Sequence, residues 1–171
     1  PANLLISRHG TVKVLDFGIA RADFDREGHT KSVQFGTARY MAPEQWLGND
    51  LSGAVDVYAL GITLIELMSG AAAARLPLRS DKYNAGRDAQ IQRIRDPRWG
   101  TVWWRRLEEL LQDMLAFDPQ DRPTADWVQD ICVELSEEVG GESLRRYARA
   151  NVPALIEAQR EKMKGVSLLP S

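Results

Sequence analysis

Hydrophobic and polar residues alternate in short runs at the start of the chain. Two β-rich runs, Leu4–Ile6 and Val12–Leu15, flank the polar turn Arg8-His9-Gly10-Thr11. Short runs of this kind around a glycine-containing turn are typical of a β-hairpin. Residues 19–35 then lack sustained periodicity and mix both charges, which predicts a surface loop. The opening of the chain therefore predicts one hairpin followed by a loop.

From Ser52 onward the pattern becomes helical. Polar residues up to Ser52 offer caps, the apolar run Val55–Met68 follows, and Gly70 supplies a stop. This segment is apolar nearly all round, so we expect a buried helix against which others pack. A loop over residues 71–85 then precedes a short helix predicted near Asp88–Arg95.

Further helices are predicted in the second half of the chain. Apolar residues recur at helical spacing from Trp103 to Met114, which indicates an amphipathic helix. Thr124 is placed to cap the next helix, which Gly140-Gly141 ends. That helix carries Trp127, Val128, Ile131 and Leu135. The remainder, 142–164, is helical in composition, with Pro153 expected at the first turn of a last helix. One hairpin followed by many helices predicts a mainly α domain.

The composition of the 171 residues is that of a soluble globular protein of one domain. A net charge of −2 gives no electrostatic reason to expect nucleic acid or an anionic membrane as partner. The longest uncharged apolar run, Val57–Ile65, has nine residues, whereas a spanning helix needs about 20. The single cysteine, Cys132, excludes an internal disulfide and favours a reducing, cytoplasmic location.

Three short motifs occur in a fixed order before the helical half. Asp16-Phe17-Gly18 follows the hairpin, Gly36-Thr37 comes next, and Met41-Ala42-Pro43-Glu44 completes the set. A lone Asp-Phe-Gly arises often by chance, and its aspartate is then a turn residue. The order and spacing carry the argument, because together the motifs resemble the activation segment of a serine/threonine protein kinase. The resemblance implies the C-terminal lobe of that fold, a helical bundle with one small β-hairpin.

The resemblance also assigns residues to a magnesium and ATP site. Pro1–Ile6 is similar to the end of the kinase catalytic loop, so Asn3 and Asp16 would hold Mg²⁺ in an intact enzyme. An amide oxygen and a carboxylate are donors that this hard cation prefers. Gly18 would let the segment swing, Phe17 would pack against the N-terminal lobe, and Thr37 would shape the substrate pocket.

Structural and regulatory roles follow from the same resemblance. Asp56 is similar to a buried kinase aspartate that accepts hydrogen bonds from the catalytic-loop backbone. Glu44, which ends the activation segment, is expected to form an ion pair with Arg122. Thr30 and Ser32 lie in the loop, where phosphorylation commonly orders the segment, or they are simply solvated hydroxyls.

Other kinase parts would precede Pro1. They are the catalytic aspartate, the lysine next to Pro1 and the glycine-rich phosphate loop. We therefore expect a kinase fragment, with a partial kinase domain over 1–138 and a helical extension or linker over 139–171. The parent would use Mg²⁺ and ATP on protein substrates, while this chain alone would bind neither and be inactive without its N-terminal lobe. The alternatives are a non-catalytic binding module and a helical scaffold with relic motifs.

Overall fold

The computed structural model describes residues 3–15, 38–140 and 142–166. Within these ranges the secondary structure is one antiparallel strand pair and six α-helices. The elements are β1 (Leu4–Ile6), β2 (Val12–Val14), α1 (Pro43–Leu47), α2 (Ala54–Ser69), α3 (Ser80–Gln92), α4 (Thr101–Met114), α5 (Ala125–Val139) and α6 (Leu144–Val166). Short 3₁₀ turns cover Ala38–Tyr40 and Pro119–Asp121. The predicted mainly α fold with one small hairpin is confirmed.

The chain divides into two compact units. One contains the hairpin together with α6, and the other contains α1 to α5, ending at Val139. The apolar core belongs to the second unit. Its buried members come from every part of that unit, and they include Ala42, Tyr58, Ile62, Ile65, Tyr83, Ile91, Leu107, Leu111, Met114, Val128 and Leu135.

The hairpin forms where the sequence predicts it. β1 pairs with β2 in the register Leu4 to Val14, Leu5 to Lys13 and Ile6 to Val12. The turn is closed by Ser7, whose N–H donates to the carbonyl of Thr11 over 2.9 Å and whose Oγ accepts from the same residue's N–H over 3.1 Å. Gly10 has a φ of +77°, in the left-handed region that glycine adopts without steric cost.

The central helix, α2, is buried on one side only. Ile62 and Ile65 are fully buried, but Leu60 and Leu67 are 42% and 57% exposed. The elements that contact α2 most extensively are α4 and the two 3₁₀ turns. The expectation of a helix buried all round is therefore wrong, because its outer apolar face has no cover among the described residues.

Two helix boundaries differ from those predicted. α3 begins at Ser80, well before the predicted start near Asp88. The hydrophobic pattern does not reveal this start, because the first half of the helix is polar and only Tyr83 and Ile91 on it are buried. α6 is one continuous helix that contains Pro153 in its interior rather than in its first turn. The helix tolerates this proline because the residues around it are exposed, so water can replace the missing N–H donor.

The predicted start of α5 is confirmed by its capping geometry. The Oγ1 of Thr124 accepts a hydrogen bond from the N–H of Trp127 over 3.3 Å. Val128 and Leu135 lie in the core, whereas Trp127 is largely exposed. Cys132 is half-buried against the core, and burial raises the pKa of its thiol. The helix ends where Gly140 adopts a φ of +60°.

Candidate functional site

Asn3 is the one predicted magnesium ligand that the structure describes. It precedes β1 directly and is exposed. Its backbone carbonyl accepts a hydrogen bond from the N–H of Leu15 over 2.8 Å, which extends the strand pair by one step. The hairpin therefore brings Asn3 beside residue 15, the residue that precedes Asp16 in the sequence.

Several predicted site residues lie outside the described ranges. These are Asp16, Phe17 and Gly18 of the first motif, Thr30 and Ser32 of the loop, and Thr37 of the substrate pocket. Within the described part of the chain, no cluster of three or more histidine, cysteine, aspartate or glutamate side chains has a metal-binding arrangement. None of the helices in residues 38–140 and 142–166 has the length and apolar character that crossing a membrane requires.

The predicted ion pair between Glu44 and Arg122 is present and fully buried. Nη1 of Arg122 lies 2.6 Å from Oε1 of Glu44, and Nη2 lies 2.8 Å from Oε2. The side chains are 0% and 2% exposed for Arg122 and Glu44 respectively. Two parallel bonds between a planar guanidinium and a carboxylate form the strongest and most directional type of ion pair.

The remaining donors of Arg122 are also satisfied. Nε donates to the carbonyl of Ala116 over 2.9 Å, Nη1 to that of Ala54 over 3.0 Å, and Nη2 to that of Phe117 over 3.3 Å. All five N–H groups of the guanidinium thus have acceptors, which removes the penalty for burying an unpaired donor. Arg122 joins the first turn of α1, the start of α2 and the turn after α4.

A second buried carboxylate, Glu66, anchors the stretch that follows Thr37. Glu66 is 7% exposed and lies near the C-terminal end of α2. Its Oε1 accepts from Nη1 of Arg39 over 3.1 Å and from the N–H of Ala73 over 2.8 Å. Its Oε2 accepts from the hydroxyl of Tyr40. Residues 39–44 are therefore tied to the core by Glu66 at one end and by Arg122 at the other.

The environment of Glu66 changes the acidity of two groups. Burial alone would raise the pKa of Glu66, but the hydrogen bonds from Tyr40, Ala73 and Arg39 outweigh it and hold that pKa below its ordinary value. Burial and the bond to Glu66 raise the pKa of Tyr40 to about 12. Glu66 therefore stays ionised and Tyr40 stays protonated at neutral pH.

Glu66 was not among the residues that the sequence indicated. A signal was available, because this carboxylate interrupts the apolar run Val55–Met68 at a position expected to be buried. A charged residue in such a place needs partners. Which partners it has depends on how the chain folds, since Arg39 and Tyr40 lie 27 and 26 residues away.

Asp56 does not occupy the buried position expected for it. It lies in the first turn of α2 and is exposed, without a side-chain hydrogen bond to another residue of the described ranges. The carboxylate faces solvent, and the expectation of a buried Asp56 is corrected.

The aromatic cluster near α4 is a packing feature. The ring of Trp99 lies 4.9 Å from that of Trp103 and 5.9 Å from that of Trp104. Trp103 donates its Nε1–H to the carbonyl of Leu135 over 2.8 Å, which links α4 to α5. A surface cleft beside this cluster is lined by Arg95, Asp96 and Trp99, among others, and contains none of the predicted site residues.

Both a family model and individual kinases match this chain. The model of the protein kinase domain family matches residues 1–132. The serine/threonine-protein kinase PknB of Mycobacterium leprae is 46% identical over 41% of this chain and 11% of its own length. The tyrosine-protein kinase MasK of Myxococcus xanthus is 34% identical over 82% of this chain and 22% of its own.

A eukaryotic relative matches almost the whole of this chain. Eukaryotic translation initiation factor 2-alpha kinase 3 of Rattus norvegicus is 29% identical over 99% of this chain and 16% of its own length. The chain thus spans less than a quarter of the length of each of these relatives. The family match covers the hairpin, the ion pair of Glu44 with Arg122 and most of the helical core. This chain belongs to the protein kinase domain family, of which it carries part of the C-terminal lobe.

Proposed function

We propose that this chain is part of a serine/threonine protein kinase whose complete form transfers the γ-phosphate of MgATP to protein hydroxyl groups. The observation that carries the proposal is the 2.8 Å hydrogen bond from the N–H of Leu15 to the carbonyl of Asn3. Because Asp16 follows Leu15 directly, this bond favours a common site for the Asn3 amide and the Asp16 carboxylate. The hairpin between them sets the spacing.

The donor set fits magnesium. Mg²⁺ takes oxygen ligands in an octahedron at about 2.0–2.1 Å and commonly uses one or two carboxylates with substrate phosphates. An amide oxygen from Asn3 and a carboxylate from Asp16 would leave positions for phosphate oxygens and water. When bound, the ion neutralises charge on the phosphates of ATP.

The remaining residues of the site position the protein substrate. Thr37 would shape the pocket for the residue next to the acceptor hydroxyl. Arg39 and Tyr40 follow it closely, and Glu66 fixes both of them to α2. Glu44 then fixes the end of the same segment to Arg122. Holding the segment in one conformation places the acceptor hydroxyl accurately, and positioning supplies most of the rate enhancement in phosphoryl transfer.

Preference for serine and threonine over tyrosine is part of the proposal. The stretch from Gly36 to Tyr40 resembles serine/threonine kinases. The PknB relative is named a serine/threonine kinase, and the MasK relative is named a tyrosine kinase. Phosphoamino-acid analysis of the product distinguishes the two classes.

The chain by itself is proposed to be inactive. The resemblance assigns the catalytic aspartate, the neighbouring lysine and the nucleotide loop to positions upstream of Pro1, and phosphoryl transfer depends on these parts to position the reactants. The test has two arms, each with labelled MgATP and peptides that contain serine, threonine and tyrosine. The first uses the 171-residue chain, from which no transfer is expected. Turnover that Asp16→Ala abolishes would contradict the inactivity.

The second arm restores the missing part. A chimera joins the matching upstream segment of the Mycobacterium leprae relative to Pro1. We expect phosphate transfer to serine or threonine, its loss in Asp16→Asn, and its retention in Asp50→Asn, which alters an exposed carboxylate of α2's preceding loop. A folded chimera that transfers no phosphate would contradict the proposed function.

A non-catalytic binding module is the second candidate. The exposed apolar side chains of Leu60 and Leu67 favour it, because such surfaces are commonly covered by another protein segment. The chimera separates the candidates, since a binding module would remain inactive after the upstream segment is restored.

A further inference from the structure

The turn of the hairpin lies directly against the first turn of α6. A Cβ atom added to Gly10 would lie 2.4 Å from Cα and 2.6 Å from the backbone N of Arg145. Real Cβ atoms essentially never approach other heavy atoms so closely, so only glycine fits between the two backbones. The contact joins two elements of the same compact unit.

Among the described residues, the hairpin has little else to stabilise it. Each strand has three residues, and the side chains of both strands are exposed except for that of Leu4, which is half-buried. An isolated two-stranded hairpin is marginally stable at best in water. Packing against α6 is therefore a substantial part of what holds this strand pair in register.

Only a small part of α6 is buried. Among residues 142–163, only Ala148 is fully buried and Val152 is half-buried, whereas Leu155 and Met163 are 63% and 69% exposed. Ala148 follows Arg145 by three residues, so the two lie on the same face of the helix. The helix therefore docks through its first turns, and segments with so few buried contacts open at low free-energy cost.

We propose that α6 is a detachable positioning element, which docks on the hairpin turn where the backbone of Arg145 meets Gly10 and thereby holds the strand pair that carries Asn3. Undocking of α6 loosens the hairpin, including the bond between Leu15 and Asn3 at its open end. That consequence for a magnesium ligand rests on the proposed function, whereas the docking itself does not. Coupling of this kind is reciprocal, so ordering the hairpin also favours the docked helix.

The principal test compares one substitution on the buried face of α6 with one on its exposed face. Ala148→Glu puts a carboxylate on the buried face of α6, one turn from Arg145, and Ala150→Glu puts the same group on an exposed position two residues away. Hydrogen exchange is measured at the amides of Ser7, Gly10 and Leu15, all of which donate within the hairpin. We expect exchange about tenfold faster in Ala148→Glu and unchanged in Ala150→Glu, with core amides of α2 unaffected in both.

The complementary test changes the hairpin side. Gly10→Ala introduces the Cβ that Arg145 excludes, and Gly48→Ala has the same backbone strain, with a φ of +71°, but no atom within 4 Å of the new Cβ. Exchange at the amides of α6 should accelerate about tenfold in Gly10→Ala and remain unchanged in Gly48→Ala. If Ala148→Glu fails to fold, the comparison of Gly10→Ala with Gly48→Ala tests the docking of α6 by itself.

Two results would overturn the proposal. One is equal hairpin exchange in Ala148→Glu and Ala150→Glu, and the other is exchange of α6 amides at the rate of an unstructured peptide in the unaltered chain. The outcome is independent of the kinase assay. Loosening of the hairpin together with an inactive chimera would leave the positioning role intact and contradict the proposed function alone.

Discussion

Glu44 and Arg122 form a bidentate ion pair between residues 78 positions apart, with nitrogen-to-oxygen distances of 2.6 and 2.8 Å. Neither side chain is more than 2% exposed. The pair connects the end of the segment 39–44 with the turn before α5. Because both charges are buried, the partners depend on one another: removing either leaves a charge without compensation in a poorly polarisable interior.

Replacing Arg122 with alanine should destabilise the fold severely. We expect a loss of about 3–5 kcal/mol in the free energy of unfolding, because the Glu44 carboxylate is left buried and unpaired. Urea denaturation followed by tryptophan fluorescence measures it. The matched control is Arg79→Ala, whose exposed pair with Asp81 should contribute less than about 1 kcal/mol. A loss for Arg122→Ala no larger than that of the control would contradict the structural role.

The stability of the chain should fall in acid through Glu66. Its folded-state pKa lies below the ordinary carboxyl value, so its stabilising contribution is complete above about pH 4.3 and is lost as the pH falls through the lower, folded-state pKa. Glu66→Gln removes this dependence but keeps the shape of the side chain. Glu137→Gln, at an exposed position of α5, is the control.

The measurement is the urea midpoint between pH 7 and pH 3. The difference between the unaltered chain and Glu66→Gln should be constant from pH 7 down to about pH 4.3 and should shrink as the pH falls further towards pH 3. A difference that is constant over this range would show that ionisation of Glu66 contributes nothing to the fold.

The exposed apolar face of α2 should promote self-association. Replacing both Leu60 and Leu67 with glutamine removes two large apolar side chains from the surface without altering the core. Sedimentation velocity should show less oligomer for this variant than for the unaltered chain. The control replaces Val102 and Val133, which are similarly exposed on α4 and α5. A monodisperse monomer for the unaltered chain would contradict the prediction.

Much of the fold follows from local sequence patterns. The hairpin, the cap at Thr124 and the amphipathic α4 are set by residues close together in the chain, and all three were predictable. The start of α3 was not, since the helix depends on the burial of Tyr83 in a core made by distant residues. The position of Pro153 within α6 was also missed, because proline signals a helix start unless solvent can replace its missing donor.

Residues of the candidate site were predictable only where they belong to a short family motif. The partnership of Glu44 with Arg122 came from a family pattern and is present as expected. Glu66 belongs to no short motif, and its three donors come from separate parts of the chain. Asp56 shows the limit of a pattern, because the resemblance predicts a buried side chain and the structure exposes it.

The most direct test of the account is the affinity of the site for a divalent ion. In the folded chimera with ATP, the electron paramagnetic resonance signal of free Mn²⁺ reports how much ion is bound. Asn3→Ala and Asp16→Asn should each weaken binding by at least about tenfold, whereas Asp50→Asn should leave it unchanged. Equal affinities in Asp16→Asn and Asp50→Asn would contradict the claim that Asn3 and Asp16 hold a shared ion.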